Sequence, residues 1–366
     1  MARFRRKSCL PLAVVVLLVL IVTVVLKALA PEDAPLVSPV GGERSPGRES
    51  HEVQKDNTDK PDRSEMSDSA RSDKLEAALR KFPPPNYYLH AFYYPWYGNP
   101  KFDGQYIHWD HPQLPHWDSK VAQGYPQGRH VPPDDIGANF YPSLGAYSSR
   151  DPSIIEYGEH PAFFKYRTNT GKLLPLFYVY DSYLMNSEQW AKLLKHTASD
   201  SLRDTPYDAV FIALLVEEKH KRDILTAGFD GFYTYFATNG FSYGSTQRNW
   251  DSLKAFCEDN DLIFIASVGP GYIDTSIRPW NFQNTRNRIN GKYYETSLSA
   301  ALKARPDFIS ITSFNEWHEG SQIEMAVPKT GHTAYLDYLP NKPAIYLEIT
   351  RKWAAIFGGE RRKWRD

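Results

Sequence analysis

The sequence predicts an α/β fold in which a parallel β-sheet is covered by helices, in the layout of a (β/α) barrel. Apolar runs of strand length alternate with amphipathic stretches of helix length, a pattern typical of parallel sheets. Polar or aromatic residues follow several of these runs, where a parallel barrel places its functional groups. The first eighty or so residues differ sharply in composition from the rest, so we expect them to lie outside the folded domain.

The N-terminus carries the pattern of a membrane anchor. Residues 1–7 (MARFRRK) are basic, and Ser8–Leu26 is a run of 19 residues without a charge. A helix of that length spans roughly 28 Å, close to the hydrocarbon thickness of a bilayer. A cleaved signal peptide is the alternative, with Ala28-Leu29-Ala30 as its cleavage sequence, but its apolar core is normally about 7–15 residues long. We therefore predict a cytosolic tail over 1–7 and a transmembrane signal anchor over 8–29.

The next segment, residues 30–81, is rich in Ser, Asp, Glu, Lys, Arg and Pro. It cannot bury enough apolar surface to offset its conformational entropy, so we predict a disordered luminal stem. The folded domain is then 82–366. The net charge of zero removes the electrostatic argument for nucleic acid as a partner. Of the two cysteines, Cys9 lies at the predicted anchor and Cys257 in a helical stretch, so an intrachain disulfide is not expected.

The domain contains six strand candidates and five helix candidates. The predicted strands are Tyr87–Tyr94, Leu173–Tyr180, Ala209–Val216, Phe229–Phe236, Leu262–Val268 and Phe308–Phe314. The predicted helices are Ser187–His196, Glu217–Ala227, Trp250–Asn260, Tyr294–Arg305 and the closing helix Pro343–Gly358. A closed (β/α)8 barrel needs eight strands, and Asp151–Phe164 holds no strand–helix unit. The count therefore predicts either a six-stranded open sheet or a barrel that lacks two units.

The candidate active site is the polar loop that follows the last predicted strand. Glu316 and Glu319 lie there three residues apart, among aromatics, and glycosidic bond cleavage requires two carboxyl groups whose pKa values differ. The alternative is a solvated acidic turn. Tyr94, Asp181 and Tyr235 end other predicted strands, where each is either a cleft residue or a core residue at the rim.

A metal site is not expected from the histidines. His108, His111, His116 and His130 fit no spacing of a zinc finger or of a zinc protease. The pair His318-Glu319 also lacks the second histidine of a zinc-protease helix, because position 322 is Gln.

Long segments of the domain resemble the glycoprotein endo-alpha-1,2-mannosidases, glycoside hydrolase family 99. The segments that carry the resemblance are FYYPWYGNPKFDGQYIHWDHP, YPQGRHVPPDDIG, YSSRDPS, HPAFFKY, FYVYDSY, FIALLVEEKH, GFDGFYTYFATNGF, SVGPGYIDTSIRPWN and ITSFNEWHEGSQIE. The resemblance implies a (β/α)8 barrel on a type II, single-pass Golgi membrane anchor, with the catalytic domain in the lumen. It also implies that high-mannose N-glycans on glycoproteins are the partners and that no cofactor or metal is needed.

The activity implied is retaining endo-α-1,2-mannosidase, which releases a glucosyl-mannose oligosaccharide from glucosylated high-mannose chains. By resemblance, Glu316 is the base that acts on the sugar 2-OH, and the intermediate is a 1,2-anhydro sugar. Glu319 is the general acid and base, and Asn315 hydrogen-bonds the substrate. By the same resemblance, Tyr94, Asp181 and Tyr235 line the cleft.

The chain departs from the family between Ile155 and Tyr157, where it lacks a segment that would supply two strand–helix units. Loss of two of eight strands leaves a ring that must close with six or stay open. Two alternatives to the active enzyme follow: a catalytically inactive, glycan-binding form and a non-functional shortened form.

Overall fold

The computed structural model describes residues 86–151, 165–331 and 333–365. The predicted cytosolic tail, anchor and stem lie outside these ranges. Within them, no helix combines the length and the apolar character needed to span a bilayer. The predicted anchor over 8–29 therefore stays a prediction.

The core of the fold is one seven-stranded sheet with the order β1-β7-β6-β5-β4-β3-β2. The strands are β1 Leu89–Ala91, β2 Lys165–Arg167, β3 Leu173–Val179, β4 Val210–Leu214, β5 Gly231–Tyr233, β6 Ile263–Val268 and β7 Phe308–Ile311. All neighbours pair in parallel except β2, which pairs antiparallel with β3. The six parallel strands fall inside the six predicted ones, and β2 is an addition that the sequence pattern did not predict.

Helices follow the strands as a parallel sheet requires. They are α1 Pro100–Asp103, α2 Ser119–Ala122, α3 Ser187–Leu194, α4 His220–Ala227, α5 Trp250–Asp259, α6 Lys292–Lys303 and α7 Ile345–Arg365. Local chemistry sets several boundaries. The Asn186 side chain caps the start of α3 by accepting from the amide of Gln189, and α4 ends at Gly228 in the left-handed region, with φ of 85°.

Strand β4 shows why the strands read as continuous apolar runs. Val210, Ile212 and Leu214 face the inside of the curved sheet, where they pack with Tyr233 and Phe308. The intervening side chains point to the other face, which the helices cover. Because successive side chains alternate between faces and both faces are buried, both sets of positions are apolar.

The sheet curls strongly enough for the two outer strands of its parallel part, β1 and β3, to meet. β1 and β3 are separated in the sheet by four strands, yet His90 Nδ1 of β1 lies 2.6 Å from Tyr178 Oη of β3. The rings of Phe92 and Tyr178 pack with centroids 5.2 Å apart. The described strands thus form a curled, open half-barrel in place of a closed eight-stranded ring. Its parallel architecture confirms the predicted α/β class.

Candidate active site

The loop after β7 is held by a hydrogen bond within itself and by one from the loop that follows β6. The Ser313 hydroxyl accepts from the amide of Glu316 at 2.8 Å, and the amide of Ile273 donates to the carbonyl of Glu319 at 2.8 Å. Gly320 has φ of +56°, and a Cβ there would lie 2.5 Å from the Ile273 side chain. Position 320 therefore requires glycine on two grounds, a left-handed backbone and a close approach. Both carboxylates of the loop thus start from a well-defined backbone.

Glu316 is buried, with only 4% of its surface exposed. Its Oε1 accepts from Tyr97 Oη at 3.3 Å and from the amide of His318 at 3.2 Å. Burial raises the pKa of Glu316 well above its usual value, and the negative charge of Glu319 raises it further.

Glu319 is more accessible, with a side chain 26% exposed, and its Oε1 lies 3.6 Å from Arg278 Nη1. Burial raises the pKa of Glu319, while the Arg278 charge opposes that rise. Asp274, which is fully buried, holds Arg278 through an ion pair of 3.1 Å. Two carboxyl groups that resist ionisation together suit general acid and base chemistry, because one keeps its proton while the other loses it.

Glu319 and Tyr235 line one cavity of about 400 Å³. Its wall also contains Arg278 and Thr312, and six of its fourteen residues are aromatic: Trp117, Tyr235, Phe236, Phe241, Tyr272 and Trp280. A pyranose ring has an apolar face that packs on such rings. Sequence reasoning missed Arg278, Trp117 and Trp280, although the segment that contains Arg278 and Trp280 was among those that resemble the family.

Three of the other predicted site residues lie around the same point. The hydroxyls of Tyr94 and Tyr235 are hydrogen-bonded to each other. Asn315 is fully buried, and its side-chain amide bonds the backbone of Tyr94 at both ends, accepting at 2.7 Å and donating at 3.0 Å. In this structure, Asn315 therefore joins the end of β1 to the end of β7, and its predicted bond to substrate stays a prediction.

Asp181 lies further round the rim, at the end of β3, with φ of 48°. Its Oδ1 accepts from Tyr183 Oη at 2.7 Å. Its neighbour Tyr180 packs against Tyr235, with ring centroids 5.0 Å apart. Asp181 is thus connected to the other site residues through an aromatic contact and not, among the described residues, through a direct hydrogen bond.

Two buried ionisable groups behind the loop were not predicted. Glu324 Oε2 accepts from Tyr147 Oη at 2.7 Å and from Trp317 Nε1 at 3.0 Å, and burial raises the pKa of Glu324 to about 7. Arg288 Nη2 donates to the carbonyls of Gly320 at 2.9 Å and Gln322 at 2.8 Å. Both side chains depend on contacts with distant parts of the chain, which no local pattern reveals.

Of the four histidines considered in the sequence, two join His318 in a cluster and two do not. His108, His111 and His318 each place a ring nitrogen within 4.8 Å of the others. Burial lowers the pKa of His108 to about 4 and that of His318 well below its usual value. The remaining two are engaged elsewhere: His116 packs on Trp117, and His130 bonds Asp135 and the Ser276 carbonyl.

Comparison with known proteins gives consistent results. The sequence model of glycosyl hydrolase family 99 matches residues 84–157 and 154–358. A "glycoprotein endo-alpha-1,2-mannosidase" of Xenopus laevis is 49% identical over 447 aligned positions, covering 100% of both chains. A "glycoprotein endo-alpha-1,2-mannosidase-like protein" of Mus musculus is 51% identical, covering 75% of this chain and 78% of that one. The solved GH99 endo-alpha-mannosidase from Bacteroides thetaiotaomicron matches with a TM-score of 0.69 and 39% identity, covering 76% of this chain and 99% of that chain.

The predicted internal deletion has a counterpart in these alignments. The two matched blocks meet at residues 154–157, and the alignment with the Xenopus protein is longer than the 366 residues of this chain. The relatives therefore carry a segment that this chain lacks. The matched blocks nevertheless cover most of the domain, and the identities are high across it. This chain belongs to glycosyl hydrolase family 99 and is a glycoside hydrolase.

Proposed function

We propose that the chain is a retaining endo-α-1,2-mannosidase that acts on glucosylated high-mannose N-glycans in the Golgi lumen and releases a glucosyl-mannose oligosaccharide. The observation that carries the proposal is the position of Glu319, in the wall of an aromatic cavity of about 400 Å³ and three residues from the buried Glu316. The names of the relatives and the predicted signal anchor over residues 8–29 support the substrate and the location.

In the first step, Glu316 takes the proton from the 2-hydroxyl of the mannose that is cut. The resulting oxygen attacks C1 of the same sugar, and the bond from C1 to the leaving oxygen breaks as Glu319 donates its proton to that oxygen. The product is a 1,2-anhydro sugar. Burial raises the pKa of both carboxyl groups. The role of general acid is assigned to Glu319 because Glu319 lines the cavity, where it can reach the leaving oxygen.

In the second step, Glu319 acts as base and takes a proton from water, which attacks C1. The bond between C1 and O2 breaks, and O2 recovers a proton from Glu316. Two inversions at C1 give net retention. Arg278, 3.6 Å from Glu319, stabilises the Glu319 carboxylate after the first step and keeps its carboxyl group directed along the cavity wall.

The test is an endpoint assay of the purified full-length chain with a monoglucosylated high-mannose glycan. We expect mass spectrometry to detect a released glucosyl-mannose disaccharide, and we expect Glu316→Gln and Glu319→Gln each to abolish the release. The Xenopus relative, assayed in parallel, verifies the substrate. If that relative releases the disaccharide and this chain does not, the proposed activity is wrong.

A glycan-binding form without turnover is the second candidate, and the open half-barrel favours it. Two carboxylates that are misplaced by even about 1 Å lose roughly a hundredfold in rate, whereas aromatic contacts with a sugar tolerate such a shift. Glu319→Gln separates the two candidates. An enzyme loses turnover in this variant, whereas a binder shows no turnover in either form and the same glycan affinity in both, measured by calorimetry.

A further inference from the structure

We propose that His108, His111 and His318 form a binding site for one divalent transition-metal ion of the Zn²⁺ class. The cluster is built from two regions far apart in the chain. His108 and His111 belong to the loop segment after β1, and His318 lies between the two carboxylates of the loop after β7. Three ligand nitrogens already lie within 4.8 Å of one another, a convergence that ordinary packing of neutral imidazoles does not require.

One of the rings has an unpartnered buried nitrogen, and another presents a free lone pair. His318 is buried, and its Nε2 has no hydrogen-bond partner in the described part of the chain. An unpartnered buried nitrogen costs free energy, which a bound ion would recover. His111 Nδ1 lies 2.7 Å from the carbonyl of Pro112. Because a carbonyl only accepts, Nδ1 carries the hydrogen, and Nε2 is left as a ligand atom.

The third ring is held in place by its surroundings. The His108 ring packs 4.7 Å from Trp96 and 4.4 Å from His318, measured between ring centroids. Its backbone has φ of 68°, a conformation that is costly for a residue other than glycine. The fold thus maintains an unfavourable backbone at the residue that directs its imidazole toward the other two.

The donor set selects the kind of ion. Three imidazoles without a thiolate suit Zn²⁺, Co²⁺, Ni²⁺ or Cu²⁺ and do not suit Ca²⁺ or Mg²⁺, which prefer oxygen ligands. Nitrogen ligands at about 2.0–2.1 Å from a tetrahedral Zn²⁺ lie about 3.3 Å apart. The three nitrogens must therefore approach one another by small ring rotations when the ion binds. Water would complete the coordination.

A bound ion would connect the segment Asn99–Arg150 to the loop that carries Glu316 and Glu319. Its role is structural, because the acid and base steps proposed above do not involve it. The inference thus stands independently of the proposed reaction.

The experiment uses the full-length chain, freed of metal by a chelator and dialysed. Calorimetric titration with ZnCl2 is expected to give one ion per chain with a Kd of about 1 µM or tighter, because the folded chain already brings the three imidazoles together. Saturating Zn²⁺ is expected to raise the Tm by several degrees, since a ligand that binds only the folded state stabilises it. Co²⁺ provides a spectroscopic probe, because a tetrahedral nitrogen site gives it strong visible absorption.

His108→Gln and His111→Gln each remove one ligand from a partly exposed position and keep the volume of the side chain. Each is expected to weaken Zn²⁺ binding about a hundredfold and to abolish the Co²⁺ spectrum, while circular dichroism verifies the fold. His196→Gln is the matched control, because His196 is exposed and lies outside the cluster. Absence of stoichiometric binding by the wild-type chain would overturn the proposal, as would undiminished binding by a folded double variant.

Discussion

The side chain of Asn315 forms a two-point bridge to the backbone of Tyr94. Its Oδ1 accepts from the Tyr94 amide at 2.7 Å, and its Nδ2 donates to the Tyr94 carbonyl at 3.0 Å. The first and last parallel strands thereby end at a shared point, next to the hydroxyl of Tyr94 that meets Tyr235. Because Asn315 directly precedes Glu316, the bridge also determines where the loop of Glu316 and Glu319 begins.

Replacement of Asn315 by Leu keeps the size of the side chain and removes both hydrogen bonds to Tyr94, together with the bond that Nδ2 donates to Tyr147 Oη at 3.3 Å. We expect the free energy of unfolding to fall by about 3 kcal/mol, because two backbone groups lose their partners in a buried site. Urea unfolding monitored by fluorescence measures the change. Asn284→Leu is the control, since that residue is partly exposed. An equal decrease in the free energy of unfolding in both variants would contradict a stabilising role of the bridge.

Arg288 positions the far side of the same loop. Its guanidinium lies 4.4 Å from the ring centroid of Tyr346 and donates to the carbonyls of Gly320 and Gln322. We expect Arg288→Met to lower kcat at least about tenfold with a smaller change in KM, because the carboxylates shift while the cavity persists. Arg248→Met, at an exposed position, should leave both constants unchanged. A change confined to KM would contradict the positioning role.

Glu324 makes the stability of the domain depend on pH. Its pKa is about 7 in the folded chain, against an ordinary value of 4.5, so the folded state binds the proton more tightly than the unfolded state does. The contribution is fully present below about pH 4.5 and is lost as the pH rises through 7, a difference on the order of 3 kcal/mol. We therefore expect a component of the Tm that falls between pH 5 and 8.

Glu324→Gln tests this assignment, because the amide oxygen still accepts from Tyr147 and Trp317 but does not titrate. The difference in Tm between wild type and variant, followed across the same pH range, should change steadily and level off above pH 8. A constant difference would show that Glu324 does not titrate in this range. Glu188→Gln, on the surface of α3, is the control for a general effect of charge.

Trp117 should contribute to substrate binding and not to the chemical step. Its ring is 78% exposed, although it lines the cavity that contains Glu319, so its removal should leave the fold intact. We expect Trp117→Ala to raise KM about tenfold, equivalent to roughly 1.4 kcal/mol, with kcat changed less than twofold. Tyr207→Ala, which is equally exposed but outside the cavity, should have no effect. A drop in kcat alone would contradict the assignment.

The parts of the fold that sequence reasoning predicted are those with a local signature. Each parallel strand is buried on both faces and therefore appears as an apolar run, and the loop of Glu316 and Glu319 follows the last run directly. The strand ends were predicted too far outward: Phe229–Phe236 shortens to Gly231–Tyr233, because the flanking residues belong to loops. β2, with the sequence KYR, has no apolar run, and its pairing with β3 arises only in the folded chain.

The supporting groups of the site could not be predicted either, because they too have no local signature in the sequence. Arg288 acts on carbonyls more than thirty positions away in the sequence, and His318 meets His108 from the opposite end of the domain. The spacing of these residues along the chain does not predict the contacts. Two of the four histidines considered from sequence do enter the cluster, but its third member, His318, comes from the loop after β7.

The contact between His90 and Tyr178 joins β1 to β3, the two outer strands of the parallel part of the sheet. A closed barrel joins every pair of neighbouring strands through backbone hydrogen bonds, which any residue except proline can make. In this chain β1 and β7 pair in that way, and the opening lies between β1 and β3. Here, side chains span the opening, with Nδ1 and Oη 2.6 Å apart. The contact across this opening therefore depends on which residues occupy positions 90 and 178. We expect point mutations at positions 90 and 178 to change how firmly β1 and β3 are held together. In a closed barrel, single substitutions do not affect the pairing of strands in this way.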